Sequence, residues 1–287
     1  MVREGPVVVG VDGSAPSLAA TRWAAAEASR RRVPLRVLLA YHWRVPWAAF
    51  APGTELAHTA QQLADAQAEG FGQEAAAASP GVEVSTTATL GRPAETLLAA
   101  GASAGLLVVG TRGRRTTTGT VLGSVSQQVA AHAACPVAVV RGRTGPAGPV
   151  LVGFDASEPA RQALELGFVE AASRGCDVRA VRAVDTSVGP PAMGAPPLLH
   201  DATEVRRVLF DEAAAQVAAA AAGHPGVGWD FDGVAGDAIG ALARRSRQAQ
   251  LVVVGNRGHG GFAGLLLGSV SLRLLHRADC PVLIARA

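Results

Sequence analysis

The chain repeats itself once, and that repeat constrains its fold more than any other feature. Val9-Gly10-Val11-Asp12-Gly13-Ser14 returns as Val152-Gly153-Phe154-Asp155-Ala156-Ser157. Gly91-Arg92-Pro93-Ala94 returns as Gly236-Asp237-Ala238-Ile239, and Leu107-Val108-Val109-Gly110-Thr111-Arg112-Gly113 as Val252-Val253-Val254-Gly255-Asn256-Arg257-Gly258. Gly123-Ser124-Val125-Ser126 returns as Gly268-Ser269-Val270-Ser271, and Cys135-Pro136-Val137 as Cys280-Pro281-Val282. The offset is 143 for the first landmark and 145 for the other four. Five landmarks in one order at nearly one offset divide the 287 residues into two copies of one module of ordinary domain size.

The joint falls in Arg141-Gly142-Arg143-Thr144-Gly145-Pro146-Ala147-Gly148-Pro149, a run of turn formers, so domain one is expected over 1–143 and domain two over 149–287. Within each copy, short β-branched runs alternate with Ala-rich stretches of helical length. Strands are expected at 6–11, 35–41, 82–88, 106–110 and 136–141, then at 149–154, 178–184, 228–234, 250–255 and 281–286. Helices are expected near 16–31, 56–78, 93–103 and 123–133, then near 158–174, 203–222, 237–248 and 268–277. Nearly all-apolar strands separated by helices indicate a parallel sheet covered on both faces, so each copy reads as a doubly wound α/β sandwich. The stretch 44–54 and the Pro-rich 189–197 read as surface loops at strand carboxyl ends, the edge where such sheets bind ligands. Strand five of each copy, Pro136–Arg141 and Pro281–Arg286, is apolar and expected at a sheet edge. Mutual pairing of the two copies would remove both edges. Internal pseudo-twofold packing is therefore expected, and homodimerisation beyond it stays open.

Composition removes several function classes. Apolar residues make up 49% and charged residues 17%, which supports a real core and argues against disorder. All 26 basic side chains are Arg. A chain without Lys cannot run a Walker P-loop, a protein kinase or a Schiff-base mechanism. Residues 1–146 carry 13 Arg against 9 acids, and 147–287 carry 13 against 14, with no basic stripe, so nucleic acid is not an expected partner. No run of about eighteen strongly apolar residues occurs, and no membrane partner is expected. Val7–Val11 is short for a secretory leader and is cut off by Asp12, and the three Cys (Cys135, Cys176, Cys280) form no CxxC. Both features point to a reducing, cytoplasmic setting. The seven His include no H-E-x-x-H and no Cys/His cluster, so no metal held by protein ligands is expected. His132 and His276 fall at helix ends, where a cation suits the dipole. Arg30-Arg31-Arg32 closes helix one and reads as a solvated face.

The strongest chemical signal follows strand four. Copy one reads Gly110-x2-Gly113-x9-Gly123-Ser124 and copy two reads Gly255-x2-Gly258-x9-Gly268-Ser269. Glycines let a loop bring backbone N–H groups against a ligand with no Cβ in the way. Ser124 and Ser269 then stand at the expected N-cap of a helix, where free N–H groups and the helix dipole favour an anion. Each such contact contributes roughly 0.3–2 kcal/mol, so several must converge. The alternative is a tight turn and an ordinary cap, although identical spacing in both copies is more than a turn requires. Gly258-His259-Gly260-Gly261-Phe262-Ala263 also fits G-x-G-x-x-A, but it opens no helix directly after the strand and copy one lacks it. That match is rejected.

The glycine motif after strand four, V-x-x-D-G-S at strand one and C-P-V at strand five together resemble the universal stress protein family in its tandem, two-module form. The resemblance covers nearly the whole chain. It implies a Rossmann-like five-stranded sheet of order 3-2-1-4-5 in each copy, akin to the adenine nucleotide alpha hydrolases, and it implies ATP (or ADP or AMP) as ligand. A Mg2+ ion would then be held through the phosphates. Carried over by position, Asp12 and Asp155 would lie near adenine and ribose, and Ala40 and Val181 would line the adenine pocket. Gly110, Gly113, Arg114, Gly123, Ser124, Val125 and Ser126 would hold ribose and phosphates in copy one. Gly255, Gly258, His259, Gly268, Ser269, Val270 and Ser271 would do so in copy two. Copy two keeps the fuller glycine run, whereas copy one carries Arg114-Arg115-Thr116 there and keeps Gly13 opposite Ala156. Both sites are expected to bind, with copy two the safer.

Asp12 and Asp155 lack a partner base or nucleophile nearby in sequence, which favours ligand binding or helix capping over catalysis. The S-G-G-x-D-S loop of related adenylating enzymes is absent from both copies. The expected function is an ATP-binding stress-response regulatory protein without catalytic residues. The rivals are a slow nucleotide hydrolase and an interaction module with empty pockets.

Overall fold

A computed structural model of the chain describes residues 4–42, 54–111, 113, 122–145, 147–185, 202–258 and 266–286. The first module runs β1 (Val7–Val11), α1 (Ala15–Arg31), β2 (Leu35–Tyr41), α2 (Glu55–Ala78), β3 (Val84–Leu90), α3 (Pro93–Gly101), β4 (Leu106–Gly110), α4 (Ser124–His132) and β5 (Val137–Val140). The second runs β6 (Val150–Gly153), α5 (Glu158–Arg174), β7 (Val178–Val184), α6 (Ala202–Ala221), β8 (Trp229–Ala235), α7 (Ala238–Arg245), β9 (Leu251–Gly255), α8 (Ser269–Arg277) and β10 (Val282–Ala285). The loop expected at 189–197, and all of the one expected at 44–54 except Thr54, which caps α2, lie outside the described residues.

Local chemistry sets the helix ends. Ser14 and Ser157 cap α1 and α5, each side chain accepting from the N–H three residues on, with Pro in the first turn. Both helices end on a left-handed residue, Arg32 at φ 56° and Gly175 at φ 61°. Asp237 caps α7 by accepting from Ile239 N and Gly240 N.

The strands form one ten-stranded sheet, β3-β2-β1-β4-β5-β10-β9-β6-β7-β8. Every pair within a module is parallel, which the helical crossovers permit. β5 and β10 pair antiparallel, with Val282 opposite Val139 and Ile284 opposite Val137. The alternating side chains feed two cores. Val7, Val9 and Val11 join α1, α2, α5 and α6 on one face; Val8 joins α3, α4, α7 and α8 on the other. The central strands β4 and β9 are buried along their whole length, as a sheet covered on both faces demands. The outer strands β3 and β8 begin two and one residues later than the sequence pattern suggested, because their mixed polar faces blur the start.

The arginine run at the end of α1 is not a solvated face. Arg31 Nε donates to Glu27 Oε1 at 2.7 Å and Arg30 Nη2 to Glu27 Oε2 at 2.7 Å. From α5, Arg174 Nη2 reaches Glu27 Oε2 at 2.7 Å, and Arg31 and Arg174 both pair with Glu170. Glu27 and Glu170 are equivalent residues of the two copies, 0% and 1% exposed. Only Arg32 of the three lies exposed. Burial would raise the Glu27 carboxyl, but Arg174, Arg31 and Arg30 outweigh it and hold it at about 2. Burial, and then Glu27 beside it, push Glu170 up. This cluster ties α1 to α5 across the module boundary.

Candidate functional site

The carboxyl ends of β1, β2 and β4 open on a cavity of about 620 Å³, within the range of small-molecule sites. Leu38, Leu39, Leu97 and Val109 give it an apolar floor, and Tyr41, His42, Gln67 and Arg92 stand at its polar side. Of the residues singled out from sequence, Asp12, Ala40, Gly110, Gly113, Gly123, Ser124, Val125 and Ser126 all line it. Arg114 lies outside the described residues.

Gly110 and Gly113 each have a steric reason. A Cβ at Gly110 would fall 2.7 Å from Pro16 O, and one at Gly113 would fall 2.5 Å from Asp12 Oδ2. Gly110 therefore packs against the first turn of α1 and Gly113 against the residue that follows β1. Asp12 Oδ1 accepts from Ser14 N at 3.1 Å and from Ser14 Oγ at 2.6 Å, so this carboxylate braces the residue that caps α1. Asp155 does the same with Ser157, at 3.0 and 2.5 Å.

The cap of α4 is Gly123 (φ −68°, ψ 149°), not Ser124, and no side chain caps the helix. Gly123 N donates to Thr111 O at 2.7 Å and Gly123 O accepts from Gln127 N at 3.0 Å, which brings the chain into the helix one residue early. Ser124, Val125 and Ser126 thus occupy the first turn, where backbone N–H groups have no intrahelical acceptor. Ser126 Oγ donates to Gly110 O at 2.6 Å, so its proton is committed to the protein and only its lone pairs remain for a ligand. Burial and the Asp65 carboxylate raise the Tyr41 phenol, which donates to Gln61 Oε1.

Copy two repeats these devices. A Cβ at Gly255 would fall 2.7 Å from Pro159 O, and one at Gly258 would collide with Asp155 Oδ2. Gly268 (φ −66°, ψ 153°) caps α8 without a side chain, and Gly268 N donates to Asn256 O at 2.7 Å. Ser269, Val270 and Ser271 form the first turn, and Ser271 Oγ donates to Gly255 O at 2.7 Å. His259 lies outside the described residues.

One feature corrects the equivalence drawn from sequence and another sustains it. Gly10 pairs with Leu38 and Gly153 with Val181, so Val181 matches Leu38, and the counterpart of Ala40 is Ala183. Gly13 and Ala156 both adopt positive φ, 86° and 67°, so copy two holds an alanine in the left-handed region. Sequence reasoning passed over Tyr41, His42, Gln67 and Arg92. Position at the carboxyl end of a strand could have flagged the first two, and Arg92 sits within a repeated landmark. Gln67, mid-helix, carries no local signal. Among the described residues no group of three or more His, Cys, Asp or Glu could hold a metal, and no helix is long and apolar enough to cross a membrane.

These elements define a tandem doubly wound α/β protein with a glycine motif after the fourth strand of each half and a crevice at that motif in the first. The universal stress protein family profile matches residues 5–141 and again 147–286. A universal stress protein of Mycobacterium tuberculosis (strain ATCC 25618 / H37Rv) is 34% identical over 293 residues, covering 98% of this chain and 96% of its own. A universal stress protein of Mycolicibacterium smegmatis is 35% identical over 292 residues, covering 98% and 96%. The crystal structure of a universal stress protein from Archaeoglobus fulgidus superposes with a TM-score of 0.71 at 19% identity, covering 98% of each chain, and supports the fold. The chain belongs to the universal stress protein family.

Proposed function

We propose that the chain is an adenine-nucleotide-binding regulatory protein in which occupancy of the crevice changes the loop after β4 and after β9, and with it a partner surface. One observation carries this reading. Asp12, Gly110, Gly113 and the uncapped first turn of α4 converge on one cavity of about 620 Å³ whose floor is apolar. An apolar floor suits a planar base. A lip of backbone N–H groups, with glycines that keep side chains clear, suits phosphates, and it is the kind of anion site open to a chain without Lys. The resemblance to ATP-binding family members supplies adenine as the base. A Mg2+ ion would be carried by the phosphates, with Asp12 as the carboxylate that lines the cavity.

The same geometry favours binding over turnover. Asp12 Oδ1 is engaged by Ser14, and among the described residues that line the cavity Asp12 is the one carboxylate. Pairing of β5 with β10 is the intrachain partner contact in this reading. Purified protein, denatured and assayed for released nucleotide, should yield ATP, ADP or AMP. Millimolar ATP should also raise the melting temperature, since ligand at 100 Kd stabilises by about 2.7 kcal/mol. Neither release nor shift would overturn the reading. Steady hydrolysis of Mg-ATP, abolished by Asp12→Ala with binding retained, would overturn its non-catalytic part.

A further inference from the structure

We infer that His276, on α8 of the second module, is a positioning residue for the entry into α4 at the first module's phosphate site, and that among the described residues the entry into α8 has no counterpart. This inference rests on the proposed nucleotide site. His276 Nδ1 accepts a hydrogen bond from Leu122 N at 3.3 Å, across the module boundary. Leu122 immediately precedes Gly123, the cap of α4, and its side chain is buried at 5% exposure. The bond therefore fixes the residue from which the chain enters the first turn, where the ligand-facing N–H groups lie.

The histidine is itself held from the first module. Arg141 Nη1, just beyond β5, donates to Leu275 O at 2.6 Å and to Leu274 O at 3.3 Å, on the turn of α8 that carries His276. Its equivalent Arg286, just beyond β10, likewise donates to Ala130 O on α4. The equivalence then breaks. The residue corresponding to His276 is Ala131, whose methyl accepts nothing. Arg141 and Arg286 are exchanged between the modules, but among the described residues the histidine contact runs one way, from module two to Leu122 of module one. A loop held in its binding conformation loses less entropy on binding. The first module is accordingly the tighter site, which reverses the order expected from glycine content.

The test uses the full-length chain with one crevice blocked at a time. Gly258→Val, placed against Asp155, leaves the first crevice open; Gly113→Val, placed against Asp12, leaves the second. ATP with Mg2+ is titrated calorimetrically. In the Gly258→Val background, His276→Ala should weaken ATP about five-fold, the loss of one hydrogen bond of ordinary strength. His276→Asn, which places an acceptor oxygen close to the Nδ1 position, should restore affinity to within two-fold. In the Gly113→Val background His276→Ala should change nothing. Exchange of the Leu122 amide with deuterium should accelerate by about the same factor in His276→Ala, with or without ATP. If ATP binds the Gly258→Val protein but neither substitution matters, or both weaken it equally, or the second crevice is weakened as much, the inference is overturned. If ATP binds neither blocked protein, the nucleotide reading falls and this inference with it.

Discussion

Replacing Glu27 by Gln should destabilise the protein by about 3 kcal/mol, although the residue lies far from the crevice. The side chain is 0% exposed and takes hydrogen bonds from Arg30, Arg31 and Arg174. Its carboxyl drops from an ordinary 4.5 to about 2, and at about 1.36 kcal/mol per pH unit that corresponds to about 3 kcal/mol. Breaking a buried ion pair from one side costs about 3–5 kcal/mol by comparison, because the surviving charges stay buried. A carboxyl held low in the folded protein stabilises fully above its unfolded value and loses that contribution as pH falls from 4.5 towards 2. Glu170 acts with the opposite sign. Its raised carboxyl favours the folded state when protonated, and that contribution fades as pH rises above the ordinary carboxylate range. Urea titration at pH 7 and pH 3.5 provides the assay. At pH 7 the Glu27→Gln midpoint should fall well below wild type, and the gap should narrow at pH 3.5. Glu74→Gln, which breaks the Arg22 pair with side chains 56% and 45% exposed, should cost less than about 0.5 kcal/mol. A loss below about 1 kcal/mol for Glu27→Gln, or a gap that widens in acid, would refute the cluster as the tie between modules.

Ala156→Gly should stabilise by about 0.5–1 kcal/mol in thermal melts, because Ala156 holds φ 67° at a cost of about 1–2 kcal/mol that the extra freedom of unfolded glycine only partly offsets. Gly13→Ala should destabilise by a similar amount, and equal melting of all three proteins would count against this strain. Ser126→Ala should cost about 1–3 kcal/mol in urea titration by stranding the buried carbonyl of Gly110. Burial, helped by Asp279, pushes the Cys280 thiol up to about 12, so at pH 8 it should resist a disulfide reagent until urea unfolds the chain; rapid labelling of native Cys280 would contradict its buried setting.

Much of the fold was legible in the sequence because it depends on local pattern. The apolar strands, the alternating helices and the duplication are short-range or repetitive signals. The glycine motif was legible for the same reason, since Gly113 and Gly258 keep a fixed distance from Gly123 and Gly268. What escaped depends on contacts between distant residues. Arg31 meets Glu170 from 139 residues away, and without that partner an arginine triplet reads as a solvated surface. His276 meets Leu122 from 154 residues away, so it looked like a helix-end cation. The cap of α4 was missed by one residue because Ser124 has a capping side chain and Gly123 has only a backbone, yet the hydrogen bond to Thr111 decides the entry. Val181 stands beside Ala40 when the resemblance is carried over by position along strand two, and strand register separates them by two residues.

The most direct test of the account is a calorimetric titration of the full-length protein with Mg-ATP, alone and with both crevices blocked by Gly113→Val and Gly258→Val. The account predicts saturable binding at up to two sites per chain, the tighter one lost in Gly113→Val, and none in the double variant while its fold is retained. Wild-type protein that takes up no ATP at millimolar concentration, or a folded double variant that binds as well as wild type, would contradict it.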